Sequence, residues 1–249
     1  MLQPNRENKA AIARIELNES TIAAIVQFGL NQSQGNVVAS CISAAEHSSS
    51  SVRLVWGPPG TGKTKTTSVI LYFLLKMSKE PRVLVCAPTN TAIGQLTRHL
   101  ISLLEQSSEA KSIQDVILLG NEKRLKLKED KDLSKVYLKY RVERQKDDEE
   151  KKNQSCRCIN DKEREEEFLK RAKLVFCTPF NSSRVQHQKF NILVIDEAAY
   201  LKECDSMIPL AHTKIEHLVL IGDDMQLQSL VKSPVCLHYM IILMCPCYQ

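Results

Sequence analysis

Apolar positions along this chain gather into short unbroken runs rather than alternating with polar ones. "VRLVW" (52–56), "VLVCA" (83–87), "VILLG" (116–120), "LVFCT" (174–178), "ILVID" (192–196) and "LVLIG" (218–222) are the clearest. Runs of this length, apolar at nearly every position, predict strands buried on both faces, as in a parallel sheet. Longer stretches with helical periodicity separate several of them, notably "TTSVILYFLLKM" and "TAIGQLTRHLISLLEQ". Strand alternating with helix predicts a doubly wound α/β domain. Two more helix-like stretches, around 10–24 and 36–46, precede the first strand.

The pattern breaks between 121 and 173, where more than half the residues are charged and the signs nearly cancel. Such a composition predicts a solvated, partly helical insertion, disordered around 145–160. A nucleic-acid clamp is a weaker reading, because the acids of "DDEE" and "EREEE" repel phosphates as the lysines attract them. The expected organisation is a helical segment at 1–25, a first part of the α/β domain at 26–120, the insertion at 121–173, a second part at 174–232, and a divergent tail at 233–249. That tail, "SPVCLHYMIILMCPCYQ", is cysteine-rich and apolar, with no clear amphipathic period.

Composition narrows the picture only a little. A chain of 249 residues suffices for one domain carrying an insertion. Its opening, "MLQPNRENKAAIARIEL", does not read as a secretory leader, and the apolar run "YMIILMC" is too short to span a membrane. These features predict a nuclear or cytoplasmic, unanchored protein whose nine cysteines are mostly free thiols. Cys156-x-Cys158 and Cys245-x-Cys247 lack histidines at zinc-site spacing. The net charge of +5 permits a nucleic-acid partner without demanding one.

Chemistry concentrates in three places. "WGPPGTGKT" fits the phosphate-binding pattern G-x-x-x-x-G-K-[ST] and lies between a strand-like and a helix-like run. Gly57, Pro58, Pro59, Gly60, Thr61, Gly62, Lys63 and Thr64 are therefore the candidate phosphate cradle. Glycines let backbone N–H groups turn inward around oxygens, and the next helix adds its positive end. Lys63 supplies a charge to the β- and γ-phosphates, and Thr64 a hydroxyl to Mg²⁺.

"VIDEAAY" ends an apolar run in two adjacent acids. Asp196 suits a Mg²⁺ ion and its waters, and Glu197 suits a base that takes a proton from an attacking water. The bland alternative is that both acids merely favour a helix start. "LVLIGDDMQL" again ends a strand in polar residues, where Gln226 could sense a γ-phosphate. Taken alone, Gly-Asp-Asp is an ordinary turn.

"GPPGTGKT", "APTNTAI", "DEAA" and "GDDMQL", in this order, resemble the successive motifs of superfamily 1 helicases, over roughly residues 26–232. The resemblance is strongest to the branch of the nonsense-mediated-decay helicase and the tRNA-splicing-endonuclease positive effector. It implies an α/β RecA-like P-loop domain, with ATP and Mg²⁺ as ligands and single-stranded RNA or DNA as partner, in an RNA-processing or decay complex. "FGLNQSQGNVV" resembles that branch's Q motif, which implies that Gln34 reads the adenine edge. Gln34 also reads as a solvent-facing residue in the first turn of a helix. The resemblance further implies that Pro88, Thr89 and Asn90 of "APTN", and Thr178 of "CTPF", touch a nucleic-acid backbone. Thr89 and Asn90 are equally good helix caps.

The chain departs from the family pattern at Tyr200, commonly Gln, and at Gln228, usually Pro. It stops soon after "GDDMQLQSL", so the family's second RecA-like domain, with its arginine fingers, is not in this sequence. An arginine finger contributes roughly 10³–10⁵ in turnover. The expectation is a polypeptide that binds ATP with Mg²⁺ but hydrolyses it slowly and does not unwind strands alone. The rivals are a non-catalytic binding module derived from a truncated helicase and an unrelated nucleotide-binding switch or small-molecule kinase.

Overall fold

The computed structural model describes residues 19–47, 49–107, 109–151, 160–212, 214–223 and 225. Its centre is a six-stranded sheet of β1 (Ser51–Trp56), β2 (Val83–Cys86), β3 (Val116–Leu118), β4 (Leu174–Cys177), β5 (Ile192–Ile195) and β6 (His217–Gly222). The strands lie in the order β1-β6-β5-β2-β4-β3, and every pairing is parallel. The six apolar runs are these six strands, each one to two residues longer or shorter than its run. The α/β RecA-like architecture expected from the sequence is the one observed.

Helices cover both faces. Before the sheet come α1 (Glu19–Gln27) and α2 (Gln32–Glu46); α3 (Lys63–Lys76) and α4 (Asn90–Gln106) connect β1, β2 and β3. All residues of α3 from Thr66 to Leu75 are buried, which explains why its sequence is apolar around the whole circumference. Its Tyr72 and Phe73 meet Phe28 edge-on, at centroid distances of 5.0 and 5.6 Å. This first core also takes in Val83 and Val85 of β2 and Val219 and Ile221 of β6. The opposite face of the sheet holds a second core of Leu84, Cys86, Phe190, Leu193 and Ile195.

The charged segment is more integrated than its composition suggests. Where described it forms α5 (Glu122–Leu125), α6 (Lys131–Val136), α7 (Leu138–Lys151) and α8 (Asp161–Arg171). Its few apolar residues do the anchoring: Leu125, Leu127, Leu133 and Val136 enter the first core, and Leu138, Val142 and Leu169 the second. The helix over 145–151 corrects the expectation of disorder there. Arg164, only 6% exposed, pairs with Glu149 at 2.6 Å and ties α8 to that stretch of α7. Cys156 and Cys158 lie outside the described residues, as do Gln226, Gln228, Cys245 and Cys247.

Two short helices complete the second face, α9 (Pro179–Ser182) and α10 (Glu203–Leu210). Because all strands run the same way, their C-terminal ends share one edge, and the crevice beyond that edge is where open α/β sheets bind ligands. All the sequence-predicted site residues that are described, Gln34 apart, follow a strand at this edge.

Candidate functional site

β1 runs directly into the glycine loop. Gly60 and Gly62 have φ of +77° and +80°, a region that L side chains enter only under strain. Nothing lies within 4 Å of a Cβ added at Gly60, so glycine is required there by conformation alone. Pro58 and Pro59 are exposed, and the loop closes on itself through Thr61, whose hydroxyl donates to the Pro58 carbonyl at 2.7 Å. Gly62 then caps α3 without a side chain, leaving the first turn's N–H groups facing the loop. Lys63 folds back over the cradle and donates from Nζ to the Gly57 carbonyl at 2.7 Å. Thr64, half-buried, follows in the first turn of α3.

The acid pair stands at the end of β5, separated from β1 by β6 alone. Gly222, the last residue of β6, joins the two loops: its carbonyl accepts from Gly57 N at 3.2 Å. A Cβ on Gly222 would sit 3.0 Å from Ala199 N, two residues past Glu197. Asp196 is 4% exposed, and its Oδ1 has no hydrogen-bond partner. Burial, then the charge of the adjacent Glu197, pushes its carboxyl up to about 6, while the Glu197 N–H and the Lys63 ammonium pull it down. The phosphate loop and the acid pair therefore share one electrostatic environment. Glu197 sits at φ +54°, a left-handed conformation that costs a residue with a Cβ about 1–2 kcal/mol.

A buried carboxylate with an orphaned oxygen is costly unless a cation completes it. Among the described residues no cluster of three or more His, Cys, Asp or Glu could hold a metal by itself. Asp196 and Thr64 with water and phosphate oxygens suit Mg²⁺, which uses one or two protein ligands and keeps much of its water shell. The donor set fits the ion.

Gln34 lies behind the loop, as the N3 residue of α2. Its Oε1 accepts from Asn31 N at 2.9 Å, half of a reciprocal capping box, and its Nε2 donates to Thr61 O at 2.8 Å. The side chain thus couples α2 to the phosphate loop, with one amide proton and one lone pair left for a base edge. A Cβ at Gly62 would approach Gln34 Nε2 to 2.7 Å, a second reason for glycine at that position.

The remaining candidates gather on β2 and β4, neighbouring strands that lie two and three places from β6. Ala87 N donates to Cys177 O at 3.3 Å, which sets the loops of Pro88 and Thr178 side by side. Thr89 caps α4, its hydroxyl accepting from Ala92 N at 3.1 Å. Asn90 Oδ1 accepts from Asn121 N at 2.8 Å, and Thr178 Oγ1 from Asn181 Nδ2 at 3.1 Å. Pro88 is half-buried between these groups.

One residue escaped the sequence reading. Asp223 ends β6 as Asp196 ends β5; it is 3% exposed, with Oδ1 accepting from Met225 N at 3.0 Å and Oδ2 without a partner. The signal was available, since the same strand-then-acid pattern had singled out Asp196. The Gly-Asp-Asp reading as a turn concealed it.

Comparison with known proteins agrees with this geometry. The AAA domain family profile matches residues 29–165 and 128–234. The chain is 34% identical to a regulator of nonsense transcripts 1 homolog from Neurospora crassa, over 88% of this chain and 19% of that protein. It is 33% identical to the ATP-dependent helicase upf1 of Schizosaccharomyces pombe, over 82% of this chain and 22% of the relative. A DNA polymerase alpha-associated DNA helicase A from Schizosaccharomyces pombe is 29% identical, over 89% and 36% respectively. The chain thus spans about a fifth of the length of the first two relatives. Motif order, an all-parallel sheet with a phosphate loop and acid pair two strands apart, and these matches together place the chain in the AAA domain family, in the nonsense-mediated-decay branch of superfamily 1 helicases, as a first RecA-like domain.

Proposed function

We propose that this chain is the ATP-binding half of a helicase motor, coupling ATP hydrolysis to the binding of single-stranded RNA or DNA. The observation that supports the reading is that β1 and β5, with only β6 between them, end at one edge of the sheet in the phosphate loop and in Asp196, whose buried Oδ1 has no hydrogen-bond partner. ATP with Mg²⁺, when bound, would supply the phosphoanhydride bond and the metal's charge.

The chain's own groups divide the work. Gly60, Gly62 and the first turn of α3 hold phosphate oxygens through N–H groups, and Lys63 exchanges its carbonyl partners for the β- and γ-phosphates. Thr64 and Asp196 hold the cation. Glu197 orients a water and accepts its proton. Gln34 uses its remaining amide groups on the adenine edge, and Gln226 senses the γ-phosphate. Pro88, Thr89, Asn90 and Thr178 line the path for the strand's sugar-phosphate backbone, and cycles of affinity there would drive translocation. The partners fit an RNA-processing or decay complex in the nucleus or cytoplasm; among the described residues no helix is long and apolar enough to cross a membrane.

ATP turnover by purified residues 1–249, with and without poly-U RNA or single-stranded DNA, tests the whole reading. The expected result is Mg²⁺-dependent nucleotide binding with slow turnover that a single strand accelerates. Absence of ATP binding would sink the reading, and binding without any effect of single strands would favour a nucleotide switch.

A further inference from the structure

The charged segment is close to neutral along the chain but not in space. Leu125 and Leu127 anchor its first part in the first core, whereas Val142 and Leu169 anchor α7 and α8 in the second. The two cores lie on opposite faces of the sheet, so "NEKRLKLKEDK" (121–131) is held apart from the acids of "DDEE" and "EREEE". Several of those acids are also neutralised where they stand. Glu149 pairs with Arg164 at 2.6 Å, Glu165 with Arg184 at 3.3 Å and Glu167 with Arg171 at 2.5 Å. The cations of the first part are not. Lys123, Arg124, Lys126 and Lys128 are all exposed, and among the described residues none has an ion pair or a side-chain hydrogen bond. Of the nearby acids, Glu122 accepts from the Tyr140 hydroxyl at 2.9 Å and Asp130 from Arg98 Nε at 2.8 Å, which leaves Glu129. Like charges so close in sequence repel one another, a cost that a bound polyanion removes.

We propose that Lys123, Arg124, Lys126 and Lys128 extend the single-strand path as a row of contacts to backbone phosphates. The proposal rests on the reading of Pro88, Thr89, Asn90 and Thr178 as that path. Position argues for it. β3 lies beside β4 at the end of the sheet, and the chain leaving β3 turns back onto the "APTN" loop, where Asn121 N donates to Asn90 Oδ1 at 2.8 Å. A Cβ at Gly120 would sit 2.7 Å from that same oxygen, so the backbone can pass close only because this residue is glycine. Asn121 then caps α5, its side chain accepting from Arg124 N at 3.1 Å. The row of cations therefore begins two residues after the one that touches Asn90. Phosphate contacts of this kind add affinity without sequence preference, as a motor that moves along a strand requires. The acids that argue against a nucleic-acid role for the whole segment stand on the other face.

Fluorescence anisotropy of labelled oligo-U with the full chain, repeated over a range of salt, reads these contacts directly. Log affinity for a single strand falls with log salt by about 0.7 per phosphate contact. Neutralising the row (Lys123→Gln, Arg124→Gln, Lys126→Gln and Lys128→Gln together) should flatten that slope by about 2–3 and leave Mg²⁺–ATP affinity unchanged. A control chain with Lys162→Gln, Lys170→Gln and Lys189→Gln, at exposed lysines elsewhere, should keep the parent slope. A second measurement needs no substitution: oligo-U carrying 4-thiouridine should photo-cross-link to peptides from 121–131. An unaltered slope in the fourfold variant overturns the proposal and leaves the motor reading intact. So does a comparable flattening in the control chain, which would make the effect one of net charge, or cross-linking that misses 121–131. Failure of oligo-U to bind a chain that does bind ATP removes the strand path itself, and this row with it.

Discussion

The two halves of the candidate site are built differently, although both lie at the same edge of the sheet. Around β1, β6 and β5 the structure tolerates what folding alone would discard: a left-handed Glu197, and buried oxygens of Asp196 and Asp223 without partners. Around β2 and β4 the same kinds of residues are already satisfied, Thr89 by Ala92 N, Asn90 by Asn121 N and Thr178 by Asn181. Strain and unpaired buried charge persist where surrounding structure or a ligand compensates them. Satisfied caps demand no ligand. The first half thus argues for its function by its cost to the fold, whereas the second half does not.

Substitutions can break or sharpen this contrast. The largest effect belongs to Glu197→Gln, which should lower ATP turnover by about 10²–10⁴ while nucleotide affinity holds, as loss of a general base does. Single-turnover kinetics beside equilibrium binding would separate the two quantities, and an unchanged rate would remove Glu197 from the chemistry. Next, Lys63→Ala should weaken ATP binding roughly 10–10²-fold, the range expected when one charge-assisted hydrogen bond to phosphate is lost. It should also raise the Asp196 titration further, since Lys63 is a cation that holds it down.

The third test uses pH, in protein free of metal and nucleotide. The folded Asp196 carboxyl titrates at about 6, above its ordinary value of 3.8. The native state therefore binds the proton more tightly than the unfolded chain, so stability falls as pH rises through the window from about 4 to 6. Asp196→Asn should remove this slope, leaving the variant more stable than the parent at pH 7 by roughly 3 kcal/mol in denaturant melts. Parallel melting curves for the two proteins across that window would refute the burial argument.

The smallest effect probes the other half. Thr89→Ala should cost about 1 kcal/mol of stability through the lost α4 cap, with or without nucleic acid. If single-strand affinity measured on the folded fraction also drops, the hydroxyl serves two roles and the contrast between the halves narrows. Equal affinity leaves Thr89 as a cap alone.

Much of this protein was legible beforehand because its strands are buried on both faces and so write themselves as unbroken apolar runs. The phosphate loop was legible because Gly57, where a Cβ would meet the Thr61 hydroxyl at 2.7 Å, and Gly62, at positive φ, both demand glycine, and that demand leaves a fixed spacing. The charged segment was harder. Its helices are anchored by a few residues, such as Leu133 and Val142, spaced too sparsely among charges to stand out. Asp223 was hidden because a turn and a buried acid share the same letters, and only burial tells them apart.

By itself, then, the sequence determined the strands, the loop and the identity of the groups able to touch a phosphate, since each depends on local geometry or on composition. Tertiary structure decided which of those groups meet. The strand order brings Gly57 and Asp196 within two strands of each other although the chain separates them widely. It also spends Gln34, Thr89 and Asn90 on internal hydrogen bonds, and it leaves Val52 and Leu54 of β1 exposed. Side-chain partners and burial are properties of long-range packing, which no window along the chain contains.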